Sequence, residues 1–140
     1  IGSIAGQDYE EGTFTPVLRF GGNNVGMTYL FQSGRYIKLG KFVFFEIDIT
    51  LSNKGTSTGN ASIGGFPFPT AASNSRRANN IDYFEKISLG GGTGLSISML
   101  NNSVQHTLVS CGENLNIKII DSADFNNNSV IRFVGSYSID

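Results

Sequence analysis

Apolar and polar residues alternate with a period of two along most of the chain, which is typical of β-strands. The clearest stretch runs from Tyr36 to Leu51, where every odd-numbered position from Ile37 onward is apolar except Lys41. It predicts one long strand, or two strands that break near Gly40. The remaining alternation predicts further strands at Thr13–Phe20, Asn60–Ile63, Ile81–Leu89, Leu95–Leu100, His106–Gly112, Leu115–Asp121 and Val130–Ile139.

Clusters of Gly and Asn separate these predicted strands, and both residues tolerate the positive φ that tight turns require. Short strands with regular turns predict an all-β fold, an antiparallel, jelly-roll-like β-sandwich. The glycine-rich run 90–94 predicts a hairpin turn, because no helix with the Lys of a phosphate-binding loop follows it. The irregular segment from Phe66 to Arg77 predicts a loop that crosses between the two sheets.

The second face of the Tyr36–Leu51 stretch is mixed in character. Phe42 and Phe44 share it with Glu46 and Asp48. Apolar side chains on half of an otherwise solvent-exposed face indicate that something outside the chain buries them, such as another subunit. Phe42 and Phe44 are therefore predicted interface residues.

Composition excludes several classes of protein. Among 140 residues there is one Cys and one His, so an internal disulfide or a multi-thiolate zinc site is excluded. The 10 basic and 11 acidic side chains nearly cancel, which argues against a nucleic-acid partner. No apolar run approaches the ~20 residues of a membrane-spanning helix. The sequence predicts no metal, no cofactor and no membrane insertion.

Candidate catalytic residues are few. His106 is the only imidazole, with Ser103 and Ser110 near it in sequence, but no nucleophile elbow of the Gly-x-Ser-x-Gly type occurs. Cys111 lies in an apolar stretch, which predicts a small buried side chain. Glu46 and Asp48 are two residues apart on one strand face, so their side chains stand ~7 Å apart. Glycosidases use comparable separations, so glycan processing is kept as an alternative.

A polar region around the last part of the long loop is the predicted glycan-binding site. Arginine and asparagine offer fixed donor geometry that suits hydroxyls or sugar carboxylates, and a tyrosine adds an aromatic face. The residues concerned are Arg76, Arg77, Asn79, Asn80 and Tyr83. The simpler alternative is an exposed polar loop that binds nothing.

Three segments of the first half, in this order, resemble a known family. They are Tyr9–Pro16 (YEEGTFTP), Tyr29–Gly40 (YLFQSGRYIKLG) and Thr58–Pro67 (TGNASIGGFP). They resemble the C-terminal domains of bacteriophage tail fibres and tailspikes, over about Asp8 to Pro69. Phe14 stands where the family often has Trp. Proline and glycine in these segments suit strand edges and close backbone approach, so the motif is predicted to be scaffold.

The resemblance implies a homotrimeric β-sandwich at the tip of a virion tail fibre or tailspike. Residues 13–140 would form this single domain, and residues 1–12 a segment leading in from an upstream fibre or spike region. The implied partners are two identical chains and a host cell-surface polysaccharide or lipopolysaccharide. Depolymerase activity in such fibres usually lies upstream, so the chain itself is expected not to be an enzyme.

Overall fold

The computed structural model describes residues 8–73 and 76–140, which form two antiparallel sheets packed face to face. With strands numbered in chain order, the first sheet runs β1 (Tyr9–Phe14), β3 (Thr28–Leu39), β4 (Phe42–Asn53), β11 (Phe125–Ser138), β7 (Tyr83–Ile87). The second runs β2 (Val17–Phe20), β5 (Ala61–Gly64), β9 (His106–Cys111), β8 (Gly94–Ser98), β6 (Ala78–Asn80), with β10 (Lys118–Ile119) also paired to β9. A short 3-10 turn, Ser122–Asp124, precedes β11. The predicted all-β antiparallel sandwich is confirmed.

The core lies between the sheets, and β4 contributes its odd-numbered side chains to it. The inward residues of β4 are at most 3% exposed: Val43, Phe45, Ile47, Ile49 and Leu51. They meet buried residues of the second sheet such as Leu18, Ile63 and Leu108. The predicted alternation of this strand is confirmed. Burying such apolar side chains is the main favourable contribution to folding.

The prediction that Ile37 and Leu39 share the buried face of β4 is wrong. Gly40 (φ 60°) and Lys41 form a two-residue hairpin turn, which pairs Leu39 with Phe42 and Ile37 with Phe44. Directly opposed residues of an antiparallel pair lie on the same face. From Phe31 to Leu39, the odd positions of β3 therefore join the even positions of β4 on the outer face. Ile37 and Leu39 are each 44% exposed.

Several strand boundaries also differ from the prediction. The predicted strand Thr13–Phe20 divides at Thr15 and Pro16, where the chain passes from the first sheet to the second. The predicted strand Leu115–Asp121 is reduced to β10. β11 begins at Phe125, and the asparagines expected to form a turn lie in a stretch where its pairing register with β7 shifts.

The predicted lead-in segment, residues 1–12, is only partly described. Residues 1–7 lie outside the described part of the chain. Tyr9–Phe14 forms β1, whose first four residues belong to that segment and pair with β3.

Two connections run differently from what the sequence suggests. The segment 65–77 joins β5 to β6, two strands of the same sheet separated by β9 and β8, so it does not cross between sheets. Its residues 74 and 75 are outside the described range. The glycine-rich run 90–94 joins β7 of the first sheet to β8 of the second, so it is a crossing rather than a hairpin.

The three segments that carry the family resemblance fold into one unit. Gly34 lies opposite Phe14 and Gly12 opposite Tyr36 in the β1–β3 pair. A Cβ atom added at Gly34 would lie 2.7 Å from the Phe14 ring, and one at Gly12 would lie 3.0 Å from the Tyr36 ring. Each glycine thus makes room for the aromatic ring opposite it, an arrangement known to support glycine in strands.

The third segment closes this unit from the second sheet. Phe66 stacks on Phe14 at 5.7 Å between ring centroids and meets Phe45 edge-on at 5.1 Å. The hydroxyl of Tyr137 donates to the carbonyl of Phe68 at 2.9 Å. The stacking of Phe66 on Phe14 gives these motif residues a packing role, as predicted from their types.

Candidate functional site

The outer face of the first sheet carries a group of exposed apolar side chains. The exposed apolar side chains at one end of this face are Tyr9, Ile37, Leu39, Phe42, Phe44 and Val134. Strand register sets Tyr9, Leu39 and Phe42 in one row and Ile37 beside Phe44 in the next. Phe42 is 56% and Phe44 49% exposed. Contiguous apolar surface of this kind marks interaction sites in soluble proteins.

A depression of about 650 Å³ lies within this apolar end. Its walls include Ile37, Phe44 and Val134, with Glu11 and Glu46 at the polar margin. We call it the apolar depression. Its position beside Phe44 places the predicted interface residue on a concave part of the face.

A second depression, of about 750 Å³, adjoins the first along Thr13, Arg35, Glu46 and Val134. We call it the polar depression. The polar and charged side chains that line it are those of Thr13, Thr15, Gln32, Ser33, Arg35, Glu46, Asp48, Asp82 and Arg132. Its volume lies in the range of ~300–1,000 Å³ typical of small-molecule sites.

Each carboxylate of the predicted pair faces an arginine on a neighbouring strand. Glu46 lies opposite Arg35 and accepts from its Nε at 2.9 Å and from its Nη2. Asp48 lies opposite Arg132, whose Nε is 3.6 Å from its Oδ1. Both carboxylates stand side by side on one strand, whereas glycosidases place two carboxyls on either side of the scissile bond.

The ion pairs differ in how completely they use their hydrogen-bonding capacity. Arg35 and Glu46 are largely exposed, so their pair contributes at most ~1 kcal/mol to stability. The 3.6 Å separation of Arg132 and Asp48 is too long for a hydrogen bond. The Arg132 guanidinium instead lies 4.9 Å from the centre of the Tyr83 ring, in a cation–π contact.

The predicted glycan-binding residues do not all lie on one surface. The Asn79 amide donates to the carbonyl of Ser136 at 3.0 Å and accepts from its N–H at 3.1 Å, which ties β6 to β11. The Asn80 amide donates to the Asp82 carboxylate at 2.6 Å. Tyr83 lies on the outer face of the first sheet, where its hydroxyl donates to the Glu85 carboxylate.

Arg76 and Arg77 are exposed, and Arg77 donates to the carbonyl of Arg76 at 3.1 Å. Neither arginine lines the apolar or the polar depression. Tyr83 lies opposite Arg132, which in turn lies opposite Asp48, whereas Asn79 links the two sheets.

His106 is a core residue. Its Nδ1 accepts from the N–H of Leu100 at 3.0 Å, and its ring packs edge-on against Phe66 at 5.1 Å. Burial lowers the pKa of His106 from its ordinary value near 6.5 to about 4. The nearby hydroxyls of Ser103 and Ser110 donate to the carbonyls of Gln105 and Leu89.

Cys111 is half-buried rather than buried as predicted, with its Sγ 4.0 Å from the hydroxyl of Ser96. Across residues 8–73 and 76–140, no three His, Cys, Asp or Glu side chains gather as metal ligands. In the same part of the chain, no helix has the length and apolar character needed to cross a membrane.

Sequence reasoning missed several residues of the outer face, above all Arg35, Arg132 and Val134. Arg132 and Val134 alternate with Ile131 and Phe133, so their outward direction could be found from the alternation of the last strand. Their proximity to Glu46 and Asp48 could not be found from the sequence, because it depends on the pairing of β11 with β4.

Comparison with known proteins gives one structural match and no sequence family. No protein-family model matches the chain. No curated protein matches it either. The crystal structure of Dettilon tailspike protein superimposes with a TM-score of 0.72 at 21% sequence identity, over 93% of this chain and 24% of that protein. The chain thus spans about a quarter of the tailspike's length, and the match shows a shared fold.

Proposed function

We propose that the chain is the distal C-terminal domain of a bacteriophage tail fibre or tailspike, located at the tip of the virion's tail appendage. In this proposal it forms a homotrimer with two identical chains and attaches to a host cell-surface polysaccharide or lipopolysaccharide. The observation that carries the proposal is the fold shared with a tailspike over 93% of the chain. The joint packing of the three motif segments supports it, since it explains why those residues occur together.

Trimer formation is supported by the apolar end of the outer face. Phe42 and Phe44 belong to it and are about half exposed in the single chain. A closed threefold assembly would cover such a surface. Sedimentation velocity should therefore give a particle of about three times the 15.0 kDa chain mass.

A pair of variants tests this interface directly. Phe42→Ser with Phe44→Ser should shift the particle to a monomer at micromolar concentration. Ile117→Ser, which replaces an apolar side chain of similar exposure (62%) outside the first sheet, should leave the mass unchanged. A monomeric wild-type chain would overturn the trimer, and an unaltered double variant would remove this face from the interface.

Attachment is proposed without catalysis by this chain. A pull-down with isolated bacterial surface polysaccharide tests it, with binding expected and no shortening of the polysaccharide. The assignment of Arg76, Arg77, Asn79, Asn80 and Tyr83 to the contact surface stays a prediction.

The alternative function is glycan processing by Glu46 and Asp48. It is favoured by one observation, that both carboxylates line the polar depression. Incubation of the chain with polysaccharide would then release shorter products, and Glu46→Gln would abolish their release. Polysaccharide of unchanged length after incubation with the wild type would exclude this alternative.

A further inference from the structure

We infer that the polar depression is the saccharide-binding site and that its ligand is a neutral, hydroxyl-rich glycan. This inference rests on the proposed attachment function and deepens it, because it assigns the contact surface and the class of glycan. It places the ligand on the outer face of the first sheet rather than on the loop that carries Arg76 and Arg77.

Strand register builds one row of polar side chains across four strands. Ser33 on β3 lies opposite Asp48 on β4, Asp48 opposite Arg132 on β11, and Arg132 opposite Tyr83 on β7. Neighbouring strands are ~4.8 Å apart, so the row extends over about 14 Å. It presents a line of hydrogen-bonding groups that is long enough for several linked sugar rings.

The centre of this row has unused hydrogen-bonding capacity. Among the described residues, Oδ1 of Asp48 has no hydrogen-bond partner, and the Arg132 Nε stands 3.6 Å away. That oxygen is shielded from solvent, so a ligand reaches it after the carboxylate turns about its terminal torsion, which is broad in aspartate. A sugar hydroxyl both donates and accepts, so it can donate to Asp48 and accept from Arg132. The neighbouring Arg35–Glu46 pair is already closed by direct hydrogen bonds.

Tyr83 supplies an aromatic surface at the end of the row. Tyr83 is 44% exposed, and the Arg132 guanidinium covers part of its ring at 4.9 Å from the ring centre. Rings of this kind combine an apolar face with a polar edge, which suits the apolar and hydroxyl-bearing sides of a sugar.

The charge of the depression determines the class of glycan. Its lining includes two arginines, Arg35 and Arg132, and three acids, Glu46, Asp48 and Asp82. Both arginines face carboxylates, so the site offers an anionic ligand no unpaired cation, and its net charge is slightly negative. Uronic acids and sugar phosphates would therefore be repelled, whereas neutral hydroxyls match the balanced set of donors and acceptors.

Binding of the full 140-residue chain to two matched sets of bacterial polysaccharides tests the inference. One set contains neutral hexose and N-acetylhexosamine chains, and the other contains uronic acid or phosphate. We expect binding to members of the neutral set. Asp48→Ala and Arg132→Gln should each weaken it on the order of tenfold or more, the effect of losing a hydrogen bond to a charged group.

Two further variants keep the result interpretable. Ser33→Trp should also weaken binding, because Ser33 is exposed and lines the depression, and an indole there would obstruct the ligand without removing a charge. As a control, Glu113→Ala removes an exposed acid outside the depression and should bind like the wild type. Thermal unfolding of each variant confirms that it is folded.

The outcomes separate the inference from the proposed function. Wild-type binding that Asp48→Ala, Arg132→Gln and Ser33→Trp leave unchanged would overturn the site, while attachment itself would stand. Binding to the acidic set alone would overturn the class of glycan. Absence of binding to both sets would overturn the attachment function and the inference with it.

Discussion

Acid should destabilise this protein through a single buried imidazole. His106 is fully buried among aromatic rings, and its Nδ1 is held by the N–H of Leu100. The remaining ring nitrogen, Nε2, is buried without a hydrogen-bond partner in the described part of the chain. A protonated ring would place a charge in this apolar region and a second proton on the nitrogen that now accepts. Folding therefore favours the neutral form.

The magnitude follows from the pKa of His106 in the two states. Burial lowers the pKa to about 4, whereas the unfolded chain has the ordinary value near 6.5. The unfolded state thus binds the proton first as the pH falls, so stability is full above pH 6.5 and is lost between 6.5 and 4. At ~1.36 kcal/mol per unit, the loss reaches about 2 kcal/mol at pH 5 and about 3 kcal/mol at pH 4.

Urea unfolding monitored by circular dichroism between pH 4 and 8 measures this loss. Carboxylates also titrate below pH 5, so the comparison is with His106→Gln, whose amide oxygen can still accept from Leu100. The wild type should lose about 3 kcal/mol more than the variant between pH 8 and pH 4. Protein concentration is held constant, because an oligomer's stability depends on it. Parallel curves for the two proteins would refute a buried, neutral His106.

Two further experiments test packing, one within the motif segments and one beside them. Gly34→Ala should cost roughly 1–3 kcal/mol, because its Cβ would meet the Phe14 ring at 2.7 Å, whereas Gly94→Ala has open space and should be nearly neutral. A calorimetric melt compares the pair, and equal midpoints would refute the steric argument. Tyr137→Phe should cost about 1–2 kcal/mol, since its hydroxyl bonds both the carbonyl and the N–H of Phe68. An unchanged urea midpoint for Tyr137→Phe would show that solvent replaces those bonds.

The parts of the fold that depend on local pattern were predictable. The alternation from Val43 to Leu51 gives the buried face of β4 directly, because the side chains of a strand point alternately to its two faces. The position of Ile37 and Leu39 depends on the length of one turn. A two-residue turn reverses which parity faces inward, and the apolar pattern alone is equally compatible with an uninterrupted strand.

Pairings between distant strands could not be read from the sequence. The run at residues 90–94 is typical of a hairpin, yet β7 pairs with β11 and β8 with β9. The same holds for the candidate site, because Asp48 belongs to the predicted carboxylate pair and Tyr83 to the predicted glycan-binding residues. Only the register of β4, β11 and β7 brings them into one row through Arg132.

The apolar and polar depressions share a wall, and this proximity bears on how a trimer would bind. If subunits meet through Phe42 and Phe44, each polar depression lies beside an interface, and one particle presents three of them. A shallow site that makes a few hydrogen bonds binds a short glycan weakly, because water competes for the same groups. Three linked sites raise the avidity for a repetitive polysaccharide by factors of ~10²–10⁴ without any new contact. Weak single sites and strong attachment are therefore compatible, provided that the apolar end holds three chains together.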